Sequence, residues 1–257
     1  MTLPLIRIDD EQWLNKYRKG KVFLRNQLYY QSLDSRDSAR SDMFDGAIPA
    51  MTSKYFDPIS KGLPAGAEID KSRIMNLNVF ISCLFAFNDA NVFRVNEDAI
   101  MLSLSEENKA AIREFKKDSA LVIFDRDEFE RRIYVAAREN QTPCIARNVE
   151  YCDFSDQEPS KKMILESIEG IRPAYKIPFT KDFQFAPQQE YRICCEFKRS
   201  IADPAQQDMF YLSDAVKYEY RLLESISLED ISLILPIDSV LNHSILVNRT
   251  RVELVAD

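Results

Sequence analysis

Two polar side chains at the start of a late apolar strand have types and spacing suited to chemistry on a sugar. Gln188 and Glu190 stand two residues apart where the strand predicted over Glu190 to Phe197 begins. Residues two apart in a strand point the same way, so the carboxamide and the carboxylate project together. Such a carboxylate can hold a polyol hydroxyl or stabilise developing positive charge, and the amide can hold an acceptor. We therefore expect Glu190 and Gln188 to be catalytic, although the pair would also fit the polar start of an ordinary edge strand.

Two more positions could bind or brace a charged ligand. Arg25 ends a strand predicted from Lys21, whose apolar residues anchor the backbone while the guanidinium reaches into a cleft. A guanidinium there suits a diphosphate. Ser82 interrupts the apolar run over residues 76–87, which predicts a strand buried on both sides. A buried hydroxyl needs a partner, so Ser82 either bonds locally or braces a neighbouring polar group.

The rare residue types exclude several kinds of site. The five glycines form neither Gly-x-Gly-x-x-Gly nor a P-loop, which excludes the usual dinucleotide and phosphate fingerprints. The single histidine, His243, excludes sites with two histidines, and no nucleophile elbow accompanies it. We interpret it as a strand-edge residue. The five cysteines include no Cys-x-x-Cys pair, which favours reduced thiols over a disulfide framework or a structural zinc site.

Composition and charge indicate a globular protein. The 257 residues are 46% hydrophobic and 29% charged, which is typical of that class. The net charge of −7 argues against general binding of nucleic acid, although a local basic groove remains open. The first residues carry charge where a signal peptide needs its apolar core, and no apolar run reaches about 18–20 residues. We expect a cytoplasmic protein without a membrane span.

The hydrophobic pattern predicts one α+β domain over residues 1–257, with helices mainly in the first half and mixed or antiparallel strands in the second. Helices are predicted over residues 9–18, 105–117, 125–138 and 161–168. Strands are predicted over residues 21–25, 76–87, 121–124, 145–152, 190–197, 209–212, 218–223, 231–235 and 244–255. Residues 176–187 are predicted to form a loop.

The order of these pieces, a strand Arg, a strand Ser and then Gln-x-Glu before a strand, resembles the Arg–Ser–Glu class of ADP-ribosyltransferases. The resemblance implies an ADP-ribosyltransferase-like fold, a mixed or antiparallel sheet with flanking helices, that takes NAD as a substrate. It implies that Arg25 binds the NAD phosphates and that Ser82 braces the nicotinamide-ribose pocket. It further implies that Glu190 holds the ribose hydroxyl and stabilises an oxocarbenium-like transition state, while Gln188 helps to select the acceptor.

The chain departs from this family at two points, which leaves alternatives open. The family usually carries Ser-Thr-Ser, whereas residues 82–84 read Ser-Cys-Leu. Ser103, in the Ser-Leu-Ser run at residues 103–105, is therefore a rival for the serine role. Arg36 and Arg40 are rivals for Arg25 as the group that binds the diphosphate.

A second set of motifs overlaps the first and resembles a bacterial family of uncharacterised domains often found in phage-defence loci. It comprises Phe23-Leu-Arg25, Leu28-Tyr29-Tyr30, Arg40-x-Asp42, Asp45-Gly46, Ser82-Cys83, Phe179-x-Lys181 and Gln188-x-Glu190-x-Arg192. Some relatives of that family look like ADP-ribosyltransferase toxins, and one such group, in toxin–antitoxin–chaperone systems, modifies messenger RNA. The resemblance implies a mono-ADP-ribosyltransferase toxin that modifies RNA or else a protein, with an antitoxin and a chaperone as partners.

The same resemblance makes Tyr29, Tyr30 and Arg40 pocket residues, where an aromatic ring could stack on nicotinamide. An RNA acceptor would require a local basic groove. The cationic residues available for such a groove are Lys161, Lys162, Arg172, Lys176 and Lys181.

Two other functions remain open. The departure from Ser-Thr-Ser is compatible with a non-catalytic interaction or sensor domain on the same fold. Asp42 and Asp45, with Asp34 and Asp37 nearby, would be the ligands of a metal-dependent nuclease. Their spacing of three on a loop does not fix a two-metal geometry, so we expect no metal site.

Overall fold

Apolar segments that alternate with short amphipathic helices build an α+β fold in which nearly all strand pairs are antiparallel. The computed structural model describes residues 2–26, 29–30, 79–94, 99–153, 178–197, 220–248 and 251–255. Its strands are β1 (Leu5–Asp9), β2 (Lys21–Asn26), β3 (Val79–Ala86), β4 (Val92–Arg94), β5 (Ala99–Leu102), β6 (Ser119–Ile123), β7 (Cys144–Asn148), β8 (Glu150–Cys152), β9 (Thr180–Asp182), β10 (Glu190–Glu196), β11 (Tyr220–Glu224), β12 (Ser232–Pro236), β13 (Ser244–Asn248) and β14 (Val252–Val255). Its α-helices are α1 (Glu11–Arg18), α2 (Glu106–Glu114), α3 (Arg126–Glu139) and α4 (Ile237–Asn242). A 3₁₀ helix spans Phe183–Gln188.

The largest sheet forks beside β3. On one side β3 pairs with β10 along its length, from Val79 opposite Glu196 to Phe85 opposite Glu190. On its other side, β2 pairs with the first half of β3, and β1 pairs with the end of β3. Strand β11 extends the arm of β2, while β6 and β12 extend the arm of β1. The two arms therefore separate beside the middle of β3.

Strand β3 is buried because both faces of this sheet are covered. One face packs against α1 and α3, through residues that include Leu14, Phe129 and Ile133. The opposite face packs against α2, α4 and a second sheet of order β14–β13–β5–β4, through residues that include Ile112, Leu241 and Ile245. This double burial confirms the expectation drawn from the continuous apolar run.

Local side-chain bonds fix the helix starts that the sequence predicts. The Ser105 hydroxyl accepts a hydrogen bond from the Asn108 backbone N–H at 3.1 Å, and the Asp125 carboxylate accepts one from Glu128 at 3.0 Å. Gly20, which follows α1, has φ +86°, and a Cβ there would lie 2.2 Å from the Ser225 carbonyl oxygen. Only glycine fits this turn into β2.

Several predicted elements differ from the structure. Three of the four described α-helices begin in the first half, as expected, but strands are not confined to the second half, because β1 to β6 all precede residue 124. The predicted strand over residues 145–152 is two strands, since the chain leaves β10 after β7 and pairs with β9 in parallel. The predicted loop over residues 176–187 contains β9 and the 3₁₀ helix. The helix predicted over 161–168 and the strand predicted over 209–212 lie outside the described residues.

Within the part of the chain that the structure describes, no helix is both long and apolar enough to cross a membrane.

Candidate functional site

The fork in the sheet opens into a cavity of about 420 Å³, a size typical of small-molecule sites. Both arms, α1, α2 and the start of β10 contribute to its walls. Five of the residues expected from the sequence to form the site line this cavity, namely Arg25, Tyr29, Tyr30, Gln188 and Glu190. They come from two segments, residues 25–30 and 188–190, that are far apart in the chain.

Register explains why Arg25 and Glu190 share the cavity. Arg25 lies opposite Ile81 on one side of β3, and Glu190 lies opposite Phe85 on the other side. Ile81, Cys83 and Phe85 point to the same face because strand residues alternate. Arg25 and Glu190 therefore point to the same face of the sheet as Cys83, which also lines the cavity.

The Glu190 carboxylate is held by two buried cations. Its Oε1 lies 2.6 Å from Lys181 Nζ, and its Oε2 lies 2.7 Å from Arg192 Nε. Lys181 also donates to the Gln188 side-chain oxygen at 2.9 Å, which joins the two expected catalytic side chains through one ammonium. Arg192 donates in addition to the Pro178 carbonyl oxygen at 2.6 Å. All four side chains are at least nine-tenths buried.

This arrangement fixes Glu190 in its ionised form. Burial alone would raise the pKa of Glu190, but the charges of Arg192 and Lys181 outweigh it and hold the pKa well below the ordinary value. The backbone N–H of Glu190 donates to the Tyr151 hydroxyl at 2.7 Å, which fixes the start of β10 as well. The site thus presents a rigid, charged carboxylate at neutral pH.

A buried amide network holds the turn that precedes Glu190. Asn108 on α2 donates from its side chain to the Pro187 carbonyl oxygen at 2.8 Å, and Asn91 donates to the Asn108 side-chain oxygen at 3.1 Å. Gln189, between the two expected catalytic residues, has φ +42° and ψ +52°, a left-handed conformation that side chains disfavour. The surrounding bonds therefore hold Gln188 and Glu190 in a turn that carries local strain.

One wall of the cavity carries a row of aromatic rings with the Arg25 guanidinium among them. The Arg25 guanidinium lies 5.1 Å from the centre of the Tyr29 ring and 5.7 Å from that of Tyr220. Phe23 lies between Tyr220 and Trp13, with ring-centre distances of 6.3 and 5.6 Å. Tyr29 and Tyr30 meet edge to face at 5.3 Å. Flat heteroaromatic rings fit such a wall, because aromatic faces attract planar and cationic groups.

Ser82 does not line the cavity, although it is fully buried. It lies opposite Ile193, on the face of β3 that turns away from Glu190. Its hydroxyl lies 3.5 Å from Arg7 Nη1, at the long limit of a hydrogen bond. Ser103, the rival serine, also lies outside the cavity wall, and its carbonyl oxygen accepts a hydrogen bond from Asn91. Neither of these two described serines lines the cavity, so the role expected for them stays a prediction.

Arg7 is a cavity residue that the sequence analysis missed. Its guanidinium, at the point where β1 parts from β3, donates to the Cys83 carbonyl oxygen at 2.5 Å and lies 3.4 Å from the Asp9 carboxylate. Burial opposes its charged form, yet Asp9 together with Tyr17, Tyr30 and Cys83 outweighs burial, and the pKa of Arg7 is raised. A lone cation in the apolar segment Leu-Ile-Arg-Ile was the available signal, but it counts only once β1 is known to border the fork.

The cavity is basic although the chain is acidic. Among the described residues, two carboxylates line it, those of Asp9 and Glu190. The described cations that line it are Arg7, Arg25, Lys117, Lys181 and Arg192. Lys117 is paired with Asp9 at 3.1 Å and with Asp10 at 2.6 Å. Such a cavity favours a ligand that carries several negative charges.

The remaining expectations concern residues elsewhere. Arg36, Arg40 and the nuclease candidates Asp42 and Asp45 lie outside the described residues, as does most of the expected basic groove. Among the residues that the structure describes, no group of three or more His, Cys, Asp or Glu side chains could hold a metal ion. His243 lies between α4 and β13, with Nδ1 3.1 Å from the Ser239 carbonyl oxygen.

Comparisons of the chain with protein-family models, with curated proteins and with solved structures found no match.

Proposed function

We propose that this protein is an NAD-dependent mono-ADP-ribosyltransferase and that the cavity at the sheet fork binds NAD. One observation carries the proposal. The cavity collects Arg25, Tyr29, Tyr30, Gln188 and Glu190, the residues that the sequence predicts for that chemistry. The forked antiparallel sheet with flanking helices is compatible with an ADP-ribosyltransferase-like fold over one domain of residues 1–257.

The charges of the cavity support a dinucleotide as the ligand. The NAD diphosphate would lie near Arg25, whose guanidinium suits paired phosphate oxygens. Arg7 supplies a second guanidinium in the same cavity. The rings of Tyr29 and Tyr30 offer faces and edges for nicotinamide or adenine.

The proposed reaction exchanges one bond at the nicotinamide ribose. The bond between C1′ and the nicotinamide nitrogen breaks, and its electron pair leaves with neutral nicotinamide. The Glu190 carboxylate stabilises the oxocarbenium-like transition state and accepts a hydrogen bond from the ribose hydroxyl. A lone pair of the acceptor then forms the new bond to C1′, and the acceptor proton passes to solvent. Gln188 is placed beside Glu190 to contact the acceptor.

The biological setting is proposed from the resemblance to phage-defence domains. In that setting the protein is a cytoplasmic anti-phage toxin that modifies RNA or else a protein, and an antitoxin with a chaperone restrains it. The rings and cations along the cavity wall are compatible with a nucleotide acceptor.

A second candidate function is a non-catalytic domain that binds a phosphate-bearing nucleotide. It is favoured by the pairing of Glu190, because Lys181 and Arg192 contact both carboxylate oxygens and reduce the negative charge that a developing cation would meet. This candidate shares the NAD site with the first and differs from it in lacking transfer.

NAD binding tests what both candidates require. Saturating NAD should raise the melting temperature of the purified protein by mass action. Arg25→Ala should weaken NAD binding about tenfold or more, because a charged hydrogen bond to phosphate is lost. Lys21→Ala is the matched control, since Lys21 lies on the same face of β2 but outside the cavity wall. A wild-type protein whose melting temperature does not change when NAD is added would refute the proposed ligand.

A further inference from the structure

Strands β7 and β10 place two cysteines directly opposite each other at the end of β10 that is remote from Glu190. Cys144 is the register partner of Cys195, and their sulfur atoms lie 3.1 Å apart. Cys195 is fully buried in the sheet core, whereas Cys144 is partly exposed. One member of the pair is therefore open to reagents in solution, and the other is reached only through it.

The backbone of this pair suits a covalent bond. The Glu196 N–H donates to the Pro143 carbonyl oxygen at 2.9 Å, so residues 143 and 196 form a hydrogen-bonded pair. Antiparallel pairs alternate, which makes Cys144 and Cys195 a non-hydrogen-bonded pair with a Cα separation of about 4.5 Å. Disulfides span Cα separations of about 4.4–6.8 Å, so the two sulfurs can join without a backbone shift.

We propose that Cys144 and Cys195 form a dithiol site that low-molecular-weight disulfides, such as oxidised glutathione, convert to an internal disulfide. None of the proposed transfer chemistry uses these two thiols, so the inference stands apart from the proposed function.

The exchange proceeds in two balanced steps. The Cys144 thiolate attacks one sulfur of oxidised glutathione, and one glutathione leaves as a thiolate and takes up a proton. The Cys195 thiol then loses its proton and attacks the Cys144 sulfur, which releases the second glutathione. Two protein thiols are oxidised to one disulfide, and one oxidised glutathione is reduced to two thiols.

The environments of the two sulfurs set this order. The Cys195 thiol donates a hydrogen bond to the Cys144 sulfur, and this bond together with burial raises the pKa of Cys195. Cys195 is thus a poor first nucleophile, but it lies in place to resolve a mixed disulfide on Cys144.

The new bond would stabilise the strand that carries the candidate site. It would join residues 51 positions apart in the chain, and closing so long a loop restricts the unfolded state. Because β10 begins at Glu190, the bond would tie the far end of the same strand to its neighbour.

The test treats the full chain with oxidised glutathione, without NAD, and then blocks the remaining thiols and digests the protein. We expect a linked peptide pair that contains Cys144 and Cys195, two hydrogen atoms lighter than the separate peptides, and a higher melting temperature. Cys144→Ala and Cys195→Ala should each abolish the linked pair. The control Cys152→Ala removes a partly exposed thiol on β8 and should leave the pair unchanged.

Two results would overturn the proposal. One is a wild-type protein that keeps glutathione on Cys144 and forms no internal bond. The other is a linked pair that involves Cys194, whose side chain points to the opposite face of β10. Either result is independent of NAD binding and of transfer.

Discussion

The buried charge of Glu190 is energetically costly, and two ion pairs hold its carboxylate in place. Its carboxylate is buried against Lys181 and Arg192, and each of the three side chains would be unstable there without the others. A buried charge that loses its partner typically costs several kcal/mol. The network therefore serves the fold as well as the proposed chemistry.

Glu190→Gln should lower the free energy of unfolding by about 3–5 kcal/mol at neutral pH, because it removes the charged carboxylate that pairs with two buried cations. Urea unfolding followed by circular dichroism measures the change. Glu196→Gln, at the exposed end of the same strand, is the control and should unfold like the wild type. Equal midpoints for Glu190→Gln and wild type would show that the pairs contribute nothing.

The difference in the free energy of unfolding between the wild type and Glu190→Gln should decrease at acid pH. The folded state lowers the pKa of Glu190 below 4.5, so its stabilising charge is fully present above that pH. It is lost as the pH falls from 4.5 toward the lowered pKa. Urea midpoints of the two proteins, measured from neutral pH downward, should converge below pH 4.5. A difference that stays constant there would contradict the ionised pair.

A site residue could be predicted only where the sequence pattern that indicates its role lies close to it in the chain. Glu190 was predictable because a change from polar to apolar residues marks the start of β10, whereas Gln188 reaches the cavity from the 3₁₀ helix and not through strand alternation. Arg7 and Lys117 were not predictable, because only the meeting of β1, α2 and the fork makes them cavity residues. Ser82 lies beside Arg7 and not in the cavity wall, since a one-position difference in a strand reverses the face, so its expected role stays a prediction.

At the scale of elements, α2 positions the turn before β10. Its Asn108 links the Pro187 carbonyl oxygen to Asn91 through two side-chain bonds. The left-handed Gln189 needs such support, because its conformation is disfavoured for a residue with a side chain.

Asn108→Ala should lower the free energy of unfolding by about 1–3 kcal/mol, because the buried Pro187 carbonyl and the Asn91 amide lose partners. It should also reduce the stabilisation that NAD gives, since Gln188 and Glu190 follow the released turn. Thermal unfolding with and without NAD measures both effects.

The neighbouring Glu106→Gln is the control for this prediction, because Glu106 pairs with Lys109 on the exposed side of α2. It should leave both the stability and the NAD response unchanged. An Asn108→Ala protein with full NAD stabilisation would show that α2 does not position the turn.

An element could be predicted from the sequence when its signals lie close together in the chain, and not when it depends on contacts between distant residues. The capped starts of α2 and α3 and the long apolar β3 were predicted, because their signals lie within one segment. Strand β9 was missed and β8 was merged with β7, because β8 and β9 are each three residues long and pair in parallel across the chain. The short α4 was missed for a similar reason, since its burial against β6 and β12 is tertiary.

At the scale of the whole molecule, an acidic chain encloses a basic cavity. The net charge is −7, yet the described part of the cavity wall holds five cations and two carboxylates. A cleft lined by one sign of charge focuses its field on the ligand, and salt weakens that attraction. The fork that creates the cavity was not predictable, because it depends on the register of three strands against β3.

NAD affinity should therefore fall as salt rises, while the affinity for adenosine, which lacks phosphates, should change little. Isothermal titration at about 0.05 M and about 0.5 M sodium chloride compares the two ligands, over a range in which the screening length falls severalfold. An NAD affinity that is independent of salt would contradict a diphosphate bound by the cavity cations.

Transfer of label from NAD tests most directly whether the protein is an ADP-ribosyltransferase. Purified protein is incubated with cell lysate and NAD radiolabelled on its adenylate half, and the products are divided between RNase and protease. We expect the wild type and the Lys21→Ala variant to incorporate label, and the Arg25→Ala variant to incorporate little of it. Loss of label to RNase alone identifies an RNA acceptor, and loss to protease alone identifies a protein. A folded wild-type protein that binds NAD but labels neither fraction would contradict the transferase and leave a nucleotide-binding domain.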